Sequence, residues 1–592
     1  MHAYADFTGA EDLLLGTDGG LQVYVNNTLN NVSLARKASL IAIGGIAATS
    51  GSNVFTVTDN ANGADAGNTV YIFITQIVGG LVIYPQYVTV ATTSTNSWTF
   101  NYSQNATASN TSTVPSYTSQ VSSSQILVVV ANNGLSLGDN FQVQYPVVWG
   151  APGATLNAGN YPVTQIFNSS VFTIDSGVVA TSLQTGYEYD AAGDTPITYV
   201  QQPPATPANW FVDNFGNYGI ISFTNSAIYQ WVPPVSTSGF SSAAIISGAP
   251  TINAGTLVAM PQAQIIAFGS ETIIGSGIQD PLLLRFSDAG NQTVWTATVS
   301  NQAGSYRLSR GSVIVGALQA PQSTLVWTDI DLWAMPYVGP PFVYSFTIIG
   351  SGCGLIAPHA AVTIGQSTFW MGSRAFWMYA GAAVQTIPCA VWDIVFGDID
   401  RTNQSKSFAG SISAFSEVFF FYPSQSSGTG ECDSYVKYNV SENLWDYGTL
   451  VRSAWIDSNV IGPPLGADNS YLIQRHEEGY DNNLLPMSGV YAESGYAEIS
   501  NGADMIFFDQ FIPDMKWFGS NGSINVTVFT KNYPGDKPTQ YGPYSITPEG
   551  QFITLRGRAR YVALRYDWAP TSGFSARLGV SSLRASPSGK RP

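Results

Sequence analysis

Between Trp210 and Trp231 the chain reads Trp-Phe-Val-Asp-Asn-Phe-Gly-Asn-Tyr-Gly-Ile-Ile-Ser-Phe-Thr-Asn-Ser-Ala-Ile-Tyr-Gln-Trp, three short apolar or aromatic runs parted by polar residues at 213–217 and 224–226. Short runs punctuated in this way predict consecutive antiparallel strands, most of one four-stranded blade. Variants of the pattern recur at residues 13–29, 258–274, 325–343, 369–384, 418–445 and 453–472. A unit this small cannot cover both of its faces, so several must pack around an axis. The pattern therefore predicts an all-β chain built on a β-propeller of about six to eight blades, the first within residues 1–47 and the main run over 191–490.

Between residues 48 and 190 the texture changes to Ser, Thr, Asn and Val with little charge, and the stretch is duplicated. One copy has Asn53-Val-Phe-Thr-Val, Gly67-Asn-Thr-Val70, Pro85-Gln-Tyr-Val-Thr-Val90 and Trp98-Thr-Phe100. The other has Gln125-Ile-Leu-Val-Val, Gly138-Asp-Asn-Phe141, Gly159-Asn-Tyr-Pro-Val-Thr164 and Val171-Phe-Thr-Ile174. Gly67 and Gly138 are 71 residues apart and Tyr87 and Tyr161 are 74 apart, so a short insertion separates otherwise parallel units. Period-two alternation in both predicts a pair of small β-sandwich or barrel modules, inserted into the propeller because the blade pattern resumes after residues 203–207. Residues 491–592 are predicted to form a separate antiparallel β domain, with clean alternation at Ile524–Thr530 and Tyr561–Tyr566.

Composition agrees with short strands and many turns. The 592 residues are 45% apolar and 13% aromatic and include 58 Gly and 32 Pro. Only 10% are charged, well below the roughly 25% of ordinary soluble domains, which predicts extensive burial against partners. Twenty-two Lys and Arg against 38 Asp and Glu leave a net charge of −16, which removes the electrostatic drive of a nucleic-acid-binding protein. Basic residues gather near the end, where Arg556, Arg558 and Arg560 alternate and Arg565 follows; these four are the candidate contacts with an acidic neighbour. No apolar run approaches the ~20 residues of a membrane-spanning helix, and Met-His-Ala-Tyr-Ala-Asp has no signal-peptide character.

Candidate chemistry is sparse. His2, His359 and His476 are isolated, and Cys353, Cys389 and Cys432 form no Cys-x-x-Cys pair, so no catalytic, metal or cofactor site is predicted. Cys353 lies in Gly350-Ser-Gly-Cys-Gly without the His or Asn that a thiol nucleophile needs. Asp398 and Asp400 in Gly-Asp-Ile-Asp-Arg are expected on one strand face, in a solvated loop beside Arg401. Ser287-Asp-Ala-Gly-Asn-Gln-Thr-Val-Trp295 loosely resembles the Asp-box turn of sialidases, a turn device in propeller blades and not a catalytic element. Two carboxylates across a cleft remain the requirement for a glycosidase, and Arg285, Arg307, Arg310 and Arg374 are too scattered to form a sialidase arginine cluster.

An ordered series of short motifs carries a family resemblance. Asn301-Gln-Ala-Gly-Ser-Tyr-Arg-Leu-Ser309, Leu325-Val-Trp-Thr-Asp329, Tyr337-Val-Gly-Pro-Pro-Phe342, Phe369-Trp-Met-Gly372 and Ile387-Pro-Cys389 come first. Asp398-Ile-Asp400, Glu417-Val-Phe-Phe-Phe-Tyr-Pro423, Tyr435-Val-Lys-Tyr-Asn439 and Trp445 follow. Near the end stand Phe508-Asp-Gln-Phe-Ile-Pro513, Arg556-Gly-Arg558, Arg577-Leu-Gly579 and Gly589-Lys-Arg591. Together they resemble the tail hub, or nozzle, proteins of short-tailed (podovirus-type) bacteriophages, also called packaged-DNA stabilisation proteins. The resemblance spans roughly residues 207–592 and, more loosely, 1–45. It implies a non-enzymatic virion tail protein, a homo-hexamer that meets a tail adaptor protein, a tail fibre or spike, and a tail needle or plug. Phage DNA would pass through its lumen without sequence-specific binding, and that lumen is expected to be acidic or neutral. The alternative class is a receptor-binding or glycan-cleaving β-propeller of a phage tail.

Overall fold

Two-residue alternation and frequent turn residues make strands nearly all of the chain's regular structure, with one seven-residue α-helix, Trp392–Asp398, among the described residues. The computed structural model describes residues 1–592 apart from 18–19, 33, 61, 63, 65, 67, 191, 201–208, 235–240, 483–484, 499–503, 520–521, 572–573 and 590–592, with backbone only at 35–38, 198–200 and 486. Asp18 and Gly19 of the first expected blade, Gly67 of the first repeat, residues 203–207, and Lys590 and Arg591 thus lie outside the described residues. The chain divides into two compact units, residues 1–473 and 474–592. Sequence pattern places the division at 490/491, and the unit boundary lies at 473/474, within the strand Ile473–Arg475.

Within residues 1–473 successive antiparallel sheets form blades. Blade 1 is His2–Ala5, Glu11–Thr17, Gly20–Val25 and Thr28–Asn31, and blade 2 is Trp210–Phe215, Tyr218–Phe223, Tyr229–Trp231 and Ala243–Ile245. Blade 3 is Asn253–Ala259, Gln264–Ser270, Leu283–Phe286 and Gly304–Arg307, and blade 4 is Ile314–Gln319, Thr324–Thr328, Asp331–Met335 and Thr347–Ser351. Blade 5 is Ala361–Ile364, Ser367–Met371, Phe376–Tyr379 and Val384–Ile387, and blade 6 is Phe408–Ile412, Glu417–Pro423, Cys432–Asn439 and Leu444–Thr449. Blade 7 opens with Ala454–Ile456 paired to Leu465–Ala467.

Apolar faces between neighbouring blades make the core. Leu14, Ile221 and Trp231 join blades 1 and 2; Val258, Ile265 and Trp295 join blade 3 to blade 2. Leu284, Val326 and Trp333 join blades 3 and 4, and Trp327, Trp370 and Phe420 run through blades 4, 5 and 6. Phe419 and Phe421 meet Trp455 of blade 7, and Leu465 packs back onto Leu13 and Leu15 of blade 1. The seams therefore close a ring in which the first blade of the sequence sits between the last and the second. At 150–250 Å² per aromatic side chain, each fully buried Trp contributes roughly 4–6 kcal/mol of transfer free energy. Gly410 lets Trp455 approach: a Cβ there would lie 2.5 Å from the indole ring.

The inserted residues leave the ring on a stem. Leu34–Ile41 runs parallel to the outer strand of blade 2, with Leu34 beside Ala243, and pairs antiparallel with Thr195–Val200, Ile41 opposite Thr195. Thr69–Ile72 pairs with the other side of Thr195–Val200, so the sheet of blade 2 continues into the first inserted module. That module orders its strands Asn110–Thr111, Ile46–Ala48, Val54–Thr58, Ser97–Asn101, Gln86–Thr93, Thr69–Ile72. The second module orders its own Thr185–Glu188, Ser116–Ser119, Gln125–Val129, Val171–Asp175, Gly159–Asn168, Asn140–Val143, the same series, with Val147–Trp149 added at the edge beyond Thr185–Glu188. The sequence duplication is thus a duplicated fold, each copy with its own core, around Phe55 and Phe100 in one and Phe141 and Phe172 in the other.

Residues 474–592 form two packed layers. One sheet contains Val490–Glu493, Tyr561–Trp568, Ile524–Lys531 and Thr539–Ile546. The other contains Ile553–Ala559, Ile506–Ile512 and Ser582–Pro587; past Pro513 and Asp514 the ladder resumes as Met515–Gly519 paired with Phe574–Leu578. Phe508, Phe511, Val526 and Val562 are buried in the core they share. No helix among the described residues is long and apolar enough to cross a membrane.

Candidate functional site

The first strand of each blade lies innermost, and a group of polar side chains gathers there. His2 in blade 1 places Nε2 2.9 Å from Asn214 Oδ1 and 3.9 Å from Asp213 Oδ1, both in blade 2. Asp213 accepts the Val258 N–H of blade 3 on Oδ2 at 2.8 Å, so one carboxylate links three inner strands. Burial pushes its pKa up, and His2 and the two backbone N–H groups oppose that shift. The expected turn at 213–217 is accordingly shorter: Phe215 pairs directly with Tyr218, and Asp213 and Asn214 belong to the strand. Nothing in the sequence signals the pairing, because His2 and Asp213 are far apart along the chain.

His359, just before the first strand of blade 5, has its ring 4.8 Å from Phe211 of blade 2, and its carbonyl accepts the Ala409 N–H of blade 6 at 2.8 Å. Side chains from non-adjacent blades therefore meet across the middle of the propeller. Burial, reinforced by the N-terminal amine, lowers the His359 pKa to about 4, and Nε2 has no hydrogen-bond partner among the described residues.

The remaining candidates serve turns and packing. Cys353 is buried, which pushes its thiol up to about 11, and its carbonyl accepts the Trp370 Nε1–H at 2.8 Å. Asp398 ends the helix instead of sharing a strand face with Asp400, because Val395 and Phe396 turn inward on that helix. Its carboxylate caps the next loop through Ser426 N and Oγ at 2.9 and 2.7 Å, while Asp400 caps Thr402 and Asn403. Asp288 accepts the Ala289 and Gln302 N–H groups, and Trp295 is buried with Nε1 on Gln292 O at 2.8 Å, so the Asp-box-like stretch is a structural turn of blade 3. Among the described residues no group of three His, Cys, Asp or Glu is placed to hold a metal ion.

The four candidate arginines separate into two settings. Arg556 and Arg558 point outward from Ile553–Ala559, which alternates exposed and buried positions. Arg560 leaves that face: the strand ends at Ala559, its N–H bonds Lys531 O, and its guanidinium lies 5.2 Å from the Tyr533 ring centroid. Arg565 belongs to the other sheet, where Asp567 and Glu493 accept its hydrogen bonds at 2.9 and 3.3 Å and Tyr491 lies 4.1 Å beneath it. Arg584, opposite Gln510 and bound to Asp509 at 2.7 and 2.6 Å, joins Arg556 and Arg558 on their face; its place was readable only as an alternating position in the last strand.

No protein-family model matches the chain, and no curated protein matches it. Among solved structures, the exo-β-1,3-galactanase of Phanerochaete chrysosporium is 10% identical with a TM-score of 0.22, over 65% of this chain and 97% of that one. The endosialidase of phage phi92 is 11% identical with a TM-score of 0.19, over 92% and 83%, and an apocarotenoid oxygenase mutant of Synechocystis is 9% identical with a TM-score of 0.23, over 56% and 82%. At TM-scores this low no residue of this chain is equated with a residue of theirs.

Proposed function

We propose that the chain is a structural, non-enzymatic subunit of a short-tailed bacteriophage tail nozzle or hub, residing in the virion tail and assembling around the path of the DNA. The ordered motif series from Asn301 to Gly589 carries this reading. Three of its members lie on the second strands of packed blades, Leu325–Thr328 in blade 4, Phe369–Met371 in blade 5 and Glu417–Pro423 in blade 6. The middle of a single propeller is crossed by His359 and Phe211, so a passage for duplex DNA runs between copies of the chain and not through one. Acidic walls suit such a passage, since each Lys or Arg contact with phosphate adds counterion-release affinity and hence friction.

A second reading, a receptor-binding or glycan-cleaving propeller, is favoured by a cleft of about 330 Å³ on blade 3 lined in part by Arg285, Trp295 and Thr272. Averaged electron micrographs of the purified chain, with a glycan-hydrolysis assay on the same sample, separate the two. Rings without hydrolysis are expected; a monomer that cleaves glycans overturns the structural reading.

A further inference from the structure

Charge is divided unevenly along the chain. Residues 1–473 contain 10 Lys and Arg against 27 Asp and Glu, a net of −17, whereas residues 474–592 contain 12 against 11, a net of +1. Within the second unit the two sheets treat their cations differently. On the sheet holding Tyr561–Trp568, Arg565 is met by Asp567, Glu493 and Tyr491, and Lys531 lies 4.4 Å from the Tyr496 ring centroid.

The opposite sheet has a surplus. Arg556 and Arg584 stand on the two strands that flank Ile506–Ile512, about 10 Å apart at the usual strand spacing. Asp509 between them is bound by both Nε and Nη2 of Arg584, and Arg584 first and Arg556 after it hold its carboxyl below the ordinary range. One carboxylate thus answers two guanidiniums. Arg558, opposite Phe507, donates to the Ser588 carbonyl and keeps further N–H groups outward. Farther along the same ladder Lys516 is exposed, 5.6 Å from the ring centroid of Phe518, itself 40% exposed.

We propose that this face, centred on Arg556, Arg558 and Lys516 with Phe507 and Phe518, docks one copy of the chain on an acidic surface of a second copy. The proposal rests on the structural-subunit reading above and assigns its contact surface. Two observations select a protein surface over nucleic acid. Phe518 and Ile512, 40% and 42% exposed, with the partly exposed Phe507, add apolar area of the kind that protein interfaces bury. The Arg584 fork on Asp509 already displays the bidentate carboxylate pairing that the free donors of Arg556 and Arg558 can repeat, and copies of this chain carry carboxylates in excess.

The test is sedimentation velocity on the full chain from about 0.05 to 0.5 M NaCl, comparing wild type with Arg556→Glu/Arg558→Glu/Lys516→Glu and with Lys531→Glu on the other sheet. Wild type should assemble, less so as salt rises. The triple variant should associate at least about tenfold more weakly while keeping the wild-type thermal melt, and Lys531→Glu should behave as wild type. Wild-type assembly with an unaffected triple variant overturns the docking face alone. A wild type that stays monomeric throughout overturns the structural-subunit reading as well. If the triple variant instead loses binding to a labelled duplex oligonucleotide while still assembling, the face is a nucleic-acid surface and the proposal is wrong.

Discussion

Glu188 and His359 are buried groups whose protonation pulls stability in opposite directions. In the second inserted module Glu188 accepts the Tyr117 hydroxyl at 2.5 Å and the Gln144 and Tyr145 N–H groups at 2.7 and 3.1 Å, yet burial outweighs these bonds and raises its pKa to about 7 from 4.5. A raised folded pKa means stability that is complete below about 4.5 and lost as pH rises through about 7, at most roughly 3 kcal/mol. His359 is the reverse case: its folded pKa of about 4 lies below 6.5, so its contribution is complete above 6.5 and lost as pH falls through about 4. Asp12 in blade 1, raised to about 7 by burial and Asp6, acts with the sign of Glu188, so differences between variants are the informative quantity. Urea unfolding at pH 4, 5, 6.5 and 8 should show Glu188→Gln flattening the loss of stability between pH 5 and 8. His359→Gln should flatten the loss between pH 6.5 and 4. Parallel pH profiles for wild type and either variant would contradict the assignment.

At the scale of elements, alternation and turn residues made most strands readable. The duplication was also readable, because each copy keeps its own period-two core. Three features left no local mark. The parallel pairing of Leu34 with Ala243 joins positions some two hundred residues apart, the shortened turn at Phe215 depends on Val258 reaching Asp213, and the helix at Trp392–Asp398 exists because Val395 and Phe396 find a core between blades. The stem yields a prediction about the insertion. Removing residues 43–193 and joining 42 to 194 by a short Gly-containing turn keeps Ile41 opposite Thr195 and leaves the outer edge of blade 2 covered. Ile41 and Ile197, which lose the first module's core, are changed to Thr. The shortened chain should be soluble and unfold cooperatively, weaker by about 1–3 kcal/mol for the lost cross-strand pairs with Thr69–Ile72. Aggregation, or loss of the cooperative transition by circular dichroism, would show that the modules complete blade 2 and are not an appendage to it.

For the propeller as a whole, the order of the sequence and the order of the ring diverge at one seam. Blade 1 is made first but is held between blades 7 and 2, through Leu13 and Leu15 on Leu465 and through Leu14 on Ile221 and Trp231. Blade number and closure were not legible beyond about six to eight repeats, since no motif distinguishes a first blade that closes a ring from one that merely begins it. Physically the seam matters because an open ring exposes the apolar sides of both end blades, and in a chain with only 10% charged residues little else keeps such faces apart from one another. Leu13, 2% exposed, and Leu15, 6% exposed, are therefore the residues on which closure turns. Leu13→Asp/Leu15→Asp places unpaired carboxylates in the seam and should cost about 3–5 kcal/mol, while Leu29→Asp, on the exposed fourth strand of the same blade, should cost less than about 0.5 kcal/mol. Urea unfolding followed by tryptophan fluorescence reads both sides of the seam, with Trp455 in blade 7 and Trp231 in blade 2. A lowered midpoint for the whole signal in the double variant is expected, because opening one seam removes support from every blade in turn. If blade 7 alone loosened and the other blades held their midpoint, the ring would be a row of independent blades, and closure would not be what makes the propeller a single cooperative body.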